Sequence, residues 1–380
     1  MRRIAAPLAA LVLALSPAPG LAQLPVTIDQ ELFPFPGARE SPGSAISAGM
    51  ALADRWLGEE PFANPAASRP WTLVVAPALL HMSRQDLRAD HRNYQETSAF
   101  FDAAGGWLGL ELGRLGLSLY SYQPVVRLED NAFQRGPVLN PTGSVKSSSD
   151  AREVRSGVAL SYGTGPVRAG VAGEWAHRAD HYERTEQTGG PASGTYTADF
   201  SGDAAGAQAG VRVVLGEGPG AMTVGASLRY LAELEVTGDE TIAVATGTTT
   251  SPISATRASG WEGGFTASYA VTDAFRWLIA AGGRGAQDWK GFGVRRGQGA
   301  EWKLAGEYHD RRDPWTVRFG FGQDQETEVA ESRAGTAAVG VGLQLESTRV
   351  DFGVVHRSFK RHDHPASSDD RLVLGLTQRF

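Results

Sequence analysis

The last ten residues, Arg371-Leu372-Val373-Leu374-Gly375-Leu376-Thr377-Gln378-Arg379-Phe380, decide the fold. In an extended chain Leu372, Leu374, Leu376 and the terminal Phe380 fall on one face, and Arg371, Gly375, Thr377 and Arg379 on the other. A period of two marks a strand whose two faces meet different surroundings. Gln378 interrupts the apolar face two places before the end. One such strand fits any half-buried sheet, so its meaning depends on whether the chain upstream supplies partners.

From Trp71 onward the same alternation recurs in segments that run into tight turns. Leu108, Leu110 and Leu112 precede Gly113 to Gly116, and Val154, Val158, Leu160 and Tyr162 precede Gly163 to Pro166. Ala207 to Leu215 runs into Glu217 to Gly220, and Trp261, Phe265, Ala267 and Tyr269 into Thr272-Asp273. Trp302, Leu304 and Tyr308 precede Arg311 to Pro314, and Val339, Val341, Leu343 and Leu345 precede Glu346 to Thr348. Partner strands start at Leu117, Val167, Ala221, Ala274, Trp315 and Val350. With a first strand from Trp71 and a last from Arg371, the pattern predicts an all-β fold. It is a transmembrane antiparallel β-barrel of about 14 strands, each roughly nine to twelve residues long as a tilted spanning strand requires. Polar stretches such as Glu129 to Asp150, Gln187 to Gly194, Gly238 to Arg257 and Lys360 to Asp370 are then the long loops of the opposite end.

The two faces separate along these strands. Met222, Val224, Ala226, Leu228 and Tyr230 oppose Thr223, Gly225, Ser227 and Arg229, and Trp315, Val317, Phe319 and Phe321 oppose Thr316, Arg318 and Gly320. An arginine on the lipid face at the midplane costs about 2–4 kcal/mol, so Arg229, Lys303 and Arg318 are expected inside. Tyr162, Tyr269, Phe275, Trp315 and Phe380 adjoin the short turns, and Trp175, Tyr230, Trp261 and Trp302 lie near the other strand ends. Aromatic girdles of that kind belong to a spanning barrel. A soluble β-sandwich or propeller also alternates, but its strands are usually about five or six residues long.

Composition agrees with export. Met1-Arg2-Arg3 is basic, Ile4 to Leu15 apolar, and Gly20-Leu21-Ala22 small, which reads as a signal peptide over 1–22 cleaved before Gln23. No stretch is apolar for 18 residues, as a spanning helix requires. The 380 residues contain no cysteine, which excludes a disulfide scaffold and a thiolate metal site. A formal net charge of −6 argues against a nucleic-acid partner. The mean hydropathy of −0.23 does not oppose a barrel, whose two faces average out.

Residues 23–70 precede the strands. Pro25, Pro34, Pro36 and Pro42 lead to Ser44 to Leu57, whose composition suits one short helix, and then to Asn64-Pro65-Ala66. The order Ser47-Ala48-Gly49-Met50-Ala51-Leu52-Ala53-Asp54, then Asn64-Pro65-Ala66, then a first strand, resembles the N-terminal hatch of the FadL-type long-chain fatty acid and hydrocarbon transporters. The last strand, ending on Phe380, resembles the closing strand of bacterial outer-membrane barrels, a segment that the barrel-assembly machinery reads. The resemblance implies that 23–70 folds as a short, partly helical plug inside a barrel over 71–380. It also implies a break in the third strand that lets a hydrophobic solute leave sideways. Pro124, in Tyr120-Ser121-Tyr122-Gln123-Pro124, is the candidate for that break, since proline cannot donate to the ladder; alternatively it marks the strand's upper end.

Little points to catalysis. His177 and His181 share a face, His309 sits at a turn, and His362-Asp363-His364 lies in the last long loop, where two ligands fall short of a metal's coordination sphere. No nucleophile or carboxylate pair is spaced for an enzyme, and no cofactor or metal is implied. The expectation is passive outer-membrane uptake of a hydrophobic small molecule, with outer-membrane lipid as the surrounding partner. Arg229, Lys303 and Arg318 are candidates for a carboxylate head group, or for pairing with lumen carboxylates such as Glu262, Glu301 or Glu307. A general or polar-solute porin and a structural or adhesive surface barrel are the alternatives. The sequence does not specify oligomeric state.

Overall fold

The computed structural model describes residues 44–67, 71–89, 92–134, 144–187, 194–244, 247–291, 298–310, 312–326, 333–361 and 364–380. The expected signal peptide and the proline-rich stretch that follows it lie outside these residues, as do His362 and Asp363. A single sheet of 18 strand segments closes on itself, and four of these segments continue a neighbour across a short break, giving 14 antiparallel wall strands. They are β1 (Thr72–Ala89), β2 (Arg92–Asp102 and Gly105–Leu112), β3 (Leu115–Gln134), β4 (Ser144–Thr164), β5 (Val167–Gln187) and β6 (Gly194–Leu215). There follow β7 (Met222–Leu231 and Leu234–Val244), β8 (Gly247–Arg257 and Gly260–Ala270), β9 (Phe275–Arg284 and Trp289–Lys290), β10 (Gly299–His309), β11 (Trp315–Glu326), β12 (Arg333–Leu345), β13 (Thr348–Arg361) and β14 (His364–Arg379).

The C-terminal strand closes the wall. Thr72 pairs with Arg379 at the start of the β1–β14 register, and the Phe380 amide donates to the Trp71 carbonyl at 2.9 Å. Gln378 faces outward where an apolar residue is expected, and the adjoining turn accounts for it. Its Oε1 accepts from the Thr348 hydroxyl at 2.6 Å and its Nε2 donates to the Ser347 hydroxyl at 3.0 Å. The short turns fall where the sequence puts them. Gly113 and Gly165 take φ of 64° and 56°, the left-handed conformation that tight hairpins of twisted strands need.

The outward face over the short-turn end is an apolar belt. Leu160, Val171, Leu228, Ile279 and Val339 are exposed, bounded by Tyr162, Tyr269, Trp315 and Phe380 on one side and Trp175, Tyr230, Trp261 and Trp302 on the other. So large a continuous apolar surface is stable only against hydrocarbon.

The strands do not stop at the upper girdle, where a strand length of roughly nine to twelve residues would end them. β5 runs on past Trp175 to Gln187, and much of the stretches read as loops, Glu129 to Gln134 and Gly238 to Val244 among them, is strand. Above the girdle the polarity inverts: Asp199, Ser201 and Asp203 face out, while Tyr182, Tyr196, Phe200, Leu234, Val236 and Trp289 pack inside. The extensions carry apolar side chains on their inner face and polar ones on their outer face, the reverse of the belt and the ordinary pattern of a sheet in water.

In β7, β8 and β9 the change occurs at breaks. Below them Tyr230, Trp261 and Trp277 point out, and above them Leu234, Arg257 and Trp289 point in, so each strand has slipped phase by one place. The ladder is stitched across by Ala232 N donating to Ala205 O (2.9 Å), Ala258 N to Asp288 O (2.9 Å) and Gly285 N to Trp261 O (2.8 Å).

The height of the belt can be tested by charge insertion. Val171→Arg, within the belt, should lower the unfolding free energy in lipid vesicles by about 2–4 kcal/mol. Ser201→Arg, outward but above it, should change it by less than about 0.5 kcal/mol, with urea titration as the readout.

Candidate functional site

Residues Ser44–Ala67 fill the lumen at the level of the belt. Only Ala45–Gly49 is helical (α1), capped by Ser44, whose hydroxyl accepts from Ser47 N at 3.2 Å. The helix expected to reach Leu57 ends early because Ala51 and Leu52 adopt positive φ of 54° and 64°, which folds the chain back so that Leu52 N donates to Ser47 O. The rest is a series of turns with almost every side chain buried.

Asn64 is the hub of this plug. Its Nδ2 donates to Trp56 O within the plug at 2.7 Å and, at 3.2 Å each, to Val211 O on β6 and Ala226 O on β7; its Oδ1 accepts from Ala66 N at 2.9 Å. Wall side chains return the contact. Gln208 and Ser227 donate to Ala63 O at 2.6 and 2.8 Å, and Thr266 donates to Ala53 O at 2.9 Å.

The plug seats against glycines of the wall. A Cβ added at Gly210 would lie 2.0 Å from Asn64 Oδ1, at Gly170 2.2 Å from Pro65 O, at Gly225 2.1 Å from Trp56 O, and at Gly353 2.4 Å from Ala45 O. No such Cβ could be accommodated, because most of the atoms it would meet are backbone. The alternation places Gly225 on the inner face, but what each glycine faces is not local, since every partner is far away in the chain.

A charged layer surrounds the plug. Arg229 pairs with Glu174 (2.8 Å) and with Glu262, and donates to Phe62 O; Arg155 pairs with Glu153 (2.8 Å) and Glu262 (3.3 Å), and Arg257 with Glu153 (2.8 Å). Plug residues join it through Arg55, 3.5 Å from both Glu262 and Glu301, and Glu59, 3.0 Å from Arg276. The three basic residues singled out from the sequence are all buried, and the structure separates them. Arg229 lies beside the plug, Lys303 pairs with Glu301 (2.6 Å) and lines a cavity of about 60 Å³ on the plug's far side, and Arg318 pairs with Glu307 (2.7 Å) and Asp351 (2.9 Å) on its short-turn side. Among the described residues no three histidine, aspartate or glutamate side chains are grouped to hold a metal.

Pro124 sits at a discontinuity shared by three strands. The register between β3 and β4 shifts between Tyr122 and Val125, β2 is interrupted at Ala103 and Ala104, and the β1–β14 register shifts between Val75 and Ala78, around Pro77. Ala104 N donates to Ala76 O (3.0 Å) and Gln123 N to Ala104 O (3.1 Å), so the three irregularities share one level. Phe62 of the plug stacks on Tyr122 there, with ring centroids 4.7 Å apart, and meets Tyr120 edge-on at 6.4 Å.

Neither a family model nor a curated relative matches the chain. Solved structures do. A FadL homologue from Pseudomonas aeruginosa superposes with a TM-score of 0.67 at 13% identity, over 90% of this chain and 99% of the other. The fold is that of the FadL-type barrels. The toluene transporter TbuX of Ralstonia pickettii matches with a TM-score of 0.62 at 13% identity over 89% of this chain and 98% of its own, and the toluene transporter TodX of Pseudomonas putida with 0.59 at 12% over 91% and 96%. The likeness covers about nine-tenths of this chain, and the identity is too low to carry residue roles across.

The plug of this FadL-type fold holds one arrangement that the sequence did not disclose. Ser47 Oγ lies 3.0 Å from Asp54 Oδ2 and 2.9 Å from Glu60 Oε2, both carboxyls being buried. A hydroxyl has one proton to donate, so the second contact is a hydrogen bond only when a carboxyl supplies the proton. Asp54 is raised to about 7, by burial first and then by Glu59, and Glu60 to about 8, by burial first and then by Asp54; Ser44, Ser47 and Arg276 oppose these effects only in part. For acids whose values are raised on seating, the seated plug binds the extra proton. The stabilisation is complete below the ordinary carboxylate range and is lost as pH rises through the raised values.

The chain's lack of cysteine makes a single introduced thiol a clean reporter of seating. In an Ala67→Cys protein, maleimide labelling, corrected for the pH dependence of thiol reactivity, should quicken as pH is raised from 5 to 9, and Asp54→Asn should flatten that rise. Asn64→Ala should quicken labelling about tenfold at any pH, as expected from lost hydrogen bonds of about 1–3 kcal/mol.

Proposed function

We propose that the protein is a passive outer-membrane transporter for hydrophobic small molecules of the long-chain fatty acid or hydrocarbon class. In this reading solute crosses by binding inside a plugged barrel. The observation that carries the reading is the pairing of a lumen blocked by Ser44–Ala67, seated backbone to backbone, with an apolar inward cluster of Tyr182, Tyr196, Phe200, Leu234, Val236 and Trp289 beyond it. An open porin for polar solutes needs a water-lined passage, and burying these side chains on the approach to one would work against it. The names of the matched barrels, toluene transporters among them, support the same class.

Within this reading the signal peptide exports the chain and the short turns face the periplasm. The strand ending at Phe380 is what the assembly machinery recognises. Solute enters at the apolar cluster. A carboxylate head group, where the solute has one, meets Lys303 by displacing Glu301. The discontinuity at Pro77, Ala103-Ala104 and Pro124 is the sideways exit, with Phe62, Tyr120 and Tyr122 as its inner lining. No step makes or breaks a covalent bond, so the protein is not an enzyme.

Conductance of the refolded mature protein in planar bilayers tests the proposal. The intact barrel should be closed or flicker and should respond to added long-chain fatty acid, whereas deletion of Gln23 to Ala66 should give a large, steady conductance. A large, steady conductance of the intact protein, indifferent to fatty acid, would instead leave a porin.

A further inference from the structure

Beneath the plug, on the short-turn side, is a second cavity of about 400 Å³. Thr72 and Arg379, the first pair of the barrel seam, stand on its rim, and Ile46 and Glu59 of the plug form its roof. Five arginines from separate strands line it: Arg212 on β6, Arg276 on β9, Arg318 on β11, Arg349 on β13 and Arg379 on β14.

Among the described residues three carboxylates pair with three of the arginines around this chamber. Glu307 is shared by Arg276 (2.9 Å) and Arg318 (2.7 Å), Asp351 is shared by Arg318 (2.9 Å) and Arg349 (3.0 Å), and Glu59 pairs with Arg276 (3.0 Å). Sharing leaves donors over. Arg318, 1% exposed, commits Nε to Glu307 and Nη1 to Asp351, while its Nη2 has no hydrogen-bond partner among the described residues, and the same holds for Nη2 of Arg349. A buried guanidinium N–H without an acceptor carries a full desolvation penalty. The excess of guanidinium over carboxylate among the described residues favours an oxyanion in the chamber, where the accessible forks of Arg349, Arg276 and Arg379 would meet it through paired hydrogen bonds.

We propose that this chamber is a binding site for an oxyanion, a carboxylate or a phosphate, admitted from the short-turn side and held by Arg349 and Arg379, whose side chains are open to it. The site lies across the plug from the cavity that holds Lys303, so it is separate from the solute entry described above. Glu59 ties the plug to Arg276 at the roof of the same chamber, so an anion bound there shares an arginine cluster with the plug's ionic anchor.

The test is isothermal titration of the refolded mature protein, in non-ionic detergent at low ionic strength, with hexanoate and with inorganic phosphate. One saturable site is expected, weakened at least tenfold by Arg349→Gln and unchanged by Lys290→Gln on an exposed strand at the far end. Arg379→Gln, an exposed rim variant, gives a second reading should Arg349→Gln fail to fold, folding being checked by the shift in migration between unheated and heated gel samples. Stronger hexanoate binding assigns the site to a carboxylate such as a solute head group, and stronger phosphate binding to a free anion of the compartment. Absence of saturable binding for both, or binding that neither arginine substitution weakens, overturns the proposal. Toluene uptake measured on the same protein separates this failure from failure of the transport reading, because a neutral hydrocarbon has no group for the chamber to hold.

Discussion

Close approach of one backbone to another governs this molecule. A barrel of 14 strands encloses a lumen whose radius is set by strand number and tilt, and a plug fits inside only where the wall presents no side chain. Gly170, Gly210, Gly225 and Gly353 provide that clearance on four strands, and carbonyls of the plug come to rest where Cβ atoms would otherwise stand. Once the two backbones are this close, the plug's polar groups are cut off from water and need partners from the wall. Asn64, Gln208, Ser227 and Thr266 meet that need. The wall's glycines and its inward amides and hydroxyls thus answer one requirement.

The charged layer follows from the same confinement. Arg229, Arg155 and Arg257 are enclosed by the wall; Arg229 and Arg257 are offset by carboxylates from other strands, and Arg155 by Glu153 on its own strand and Glu262 on β8, so that Glu153 and Glu262 each serve more than one arginine. Buried pairs of this kind add little net stability, but removing one partner leaves an uncompensated charge. Their weight lies in fixing the plug, through Arg55 and Phe62 O, against particular strands.

How much of this was legible in the sequence depended on the range of the interaction. Strand direction, face and turn position are local. Leu372, Leu374 and Leu376, the Met222 to Tyr230 alternation and Gly113 declare themselves within a few residues, and Arg229 and Arg318 could be placed inside by cost alone. Strand length could not be read, because above Trp175 the sign of the pattern reverses, and the phase slips in β7, β8 and β9 hide the continuity. The short helix and the Asp54–Ser47–Glu60 contact arise where the plug folds back on itself at Ala51 and Leu52, and the chamber of arginines from strands brought together by closure. Gln378 shows the local rule failing for a local reason, since the neighbouring turn offers it two hydrogen bonds.

The inversion of polarity along single strands means that one wall is held together by two solvents. Around the belt, apolar side chains face hydrocarbon, which gives them no reason to associate, and cohesion there rests on the hydrogen-bonded ladder and the plug. In the extensions Tyr196, Phe200 and Trp289 are driven inward by water, as in any soluble sheet. Exchange of bilayer for detergent alters the surroundings of the first region and leaves the cohesion of the second untouched, while cooling weakens the second through the fading hydrophobic effect. The mouth of this barrel and its stem are therefore distinct thermodynamic bodies that share a backbone.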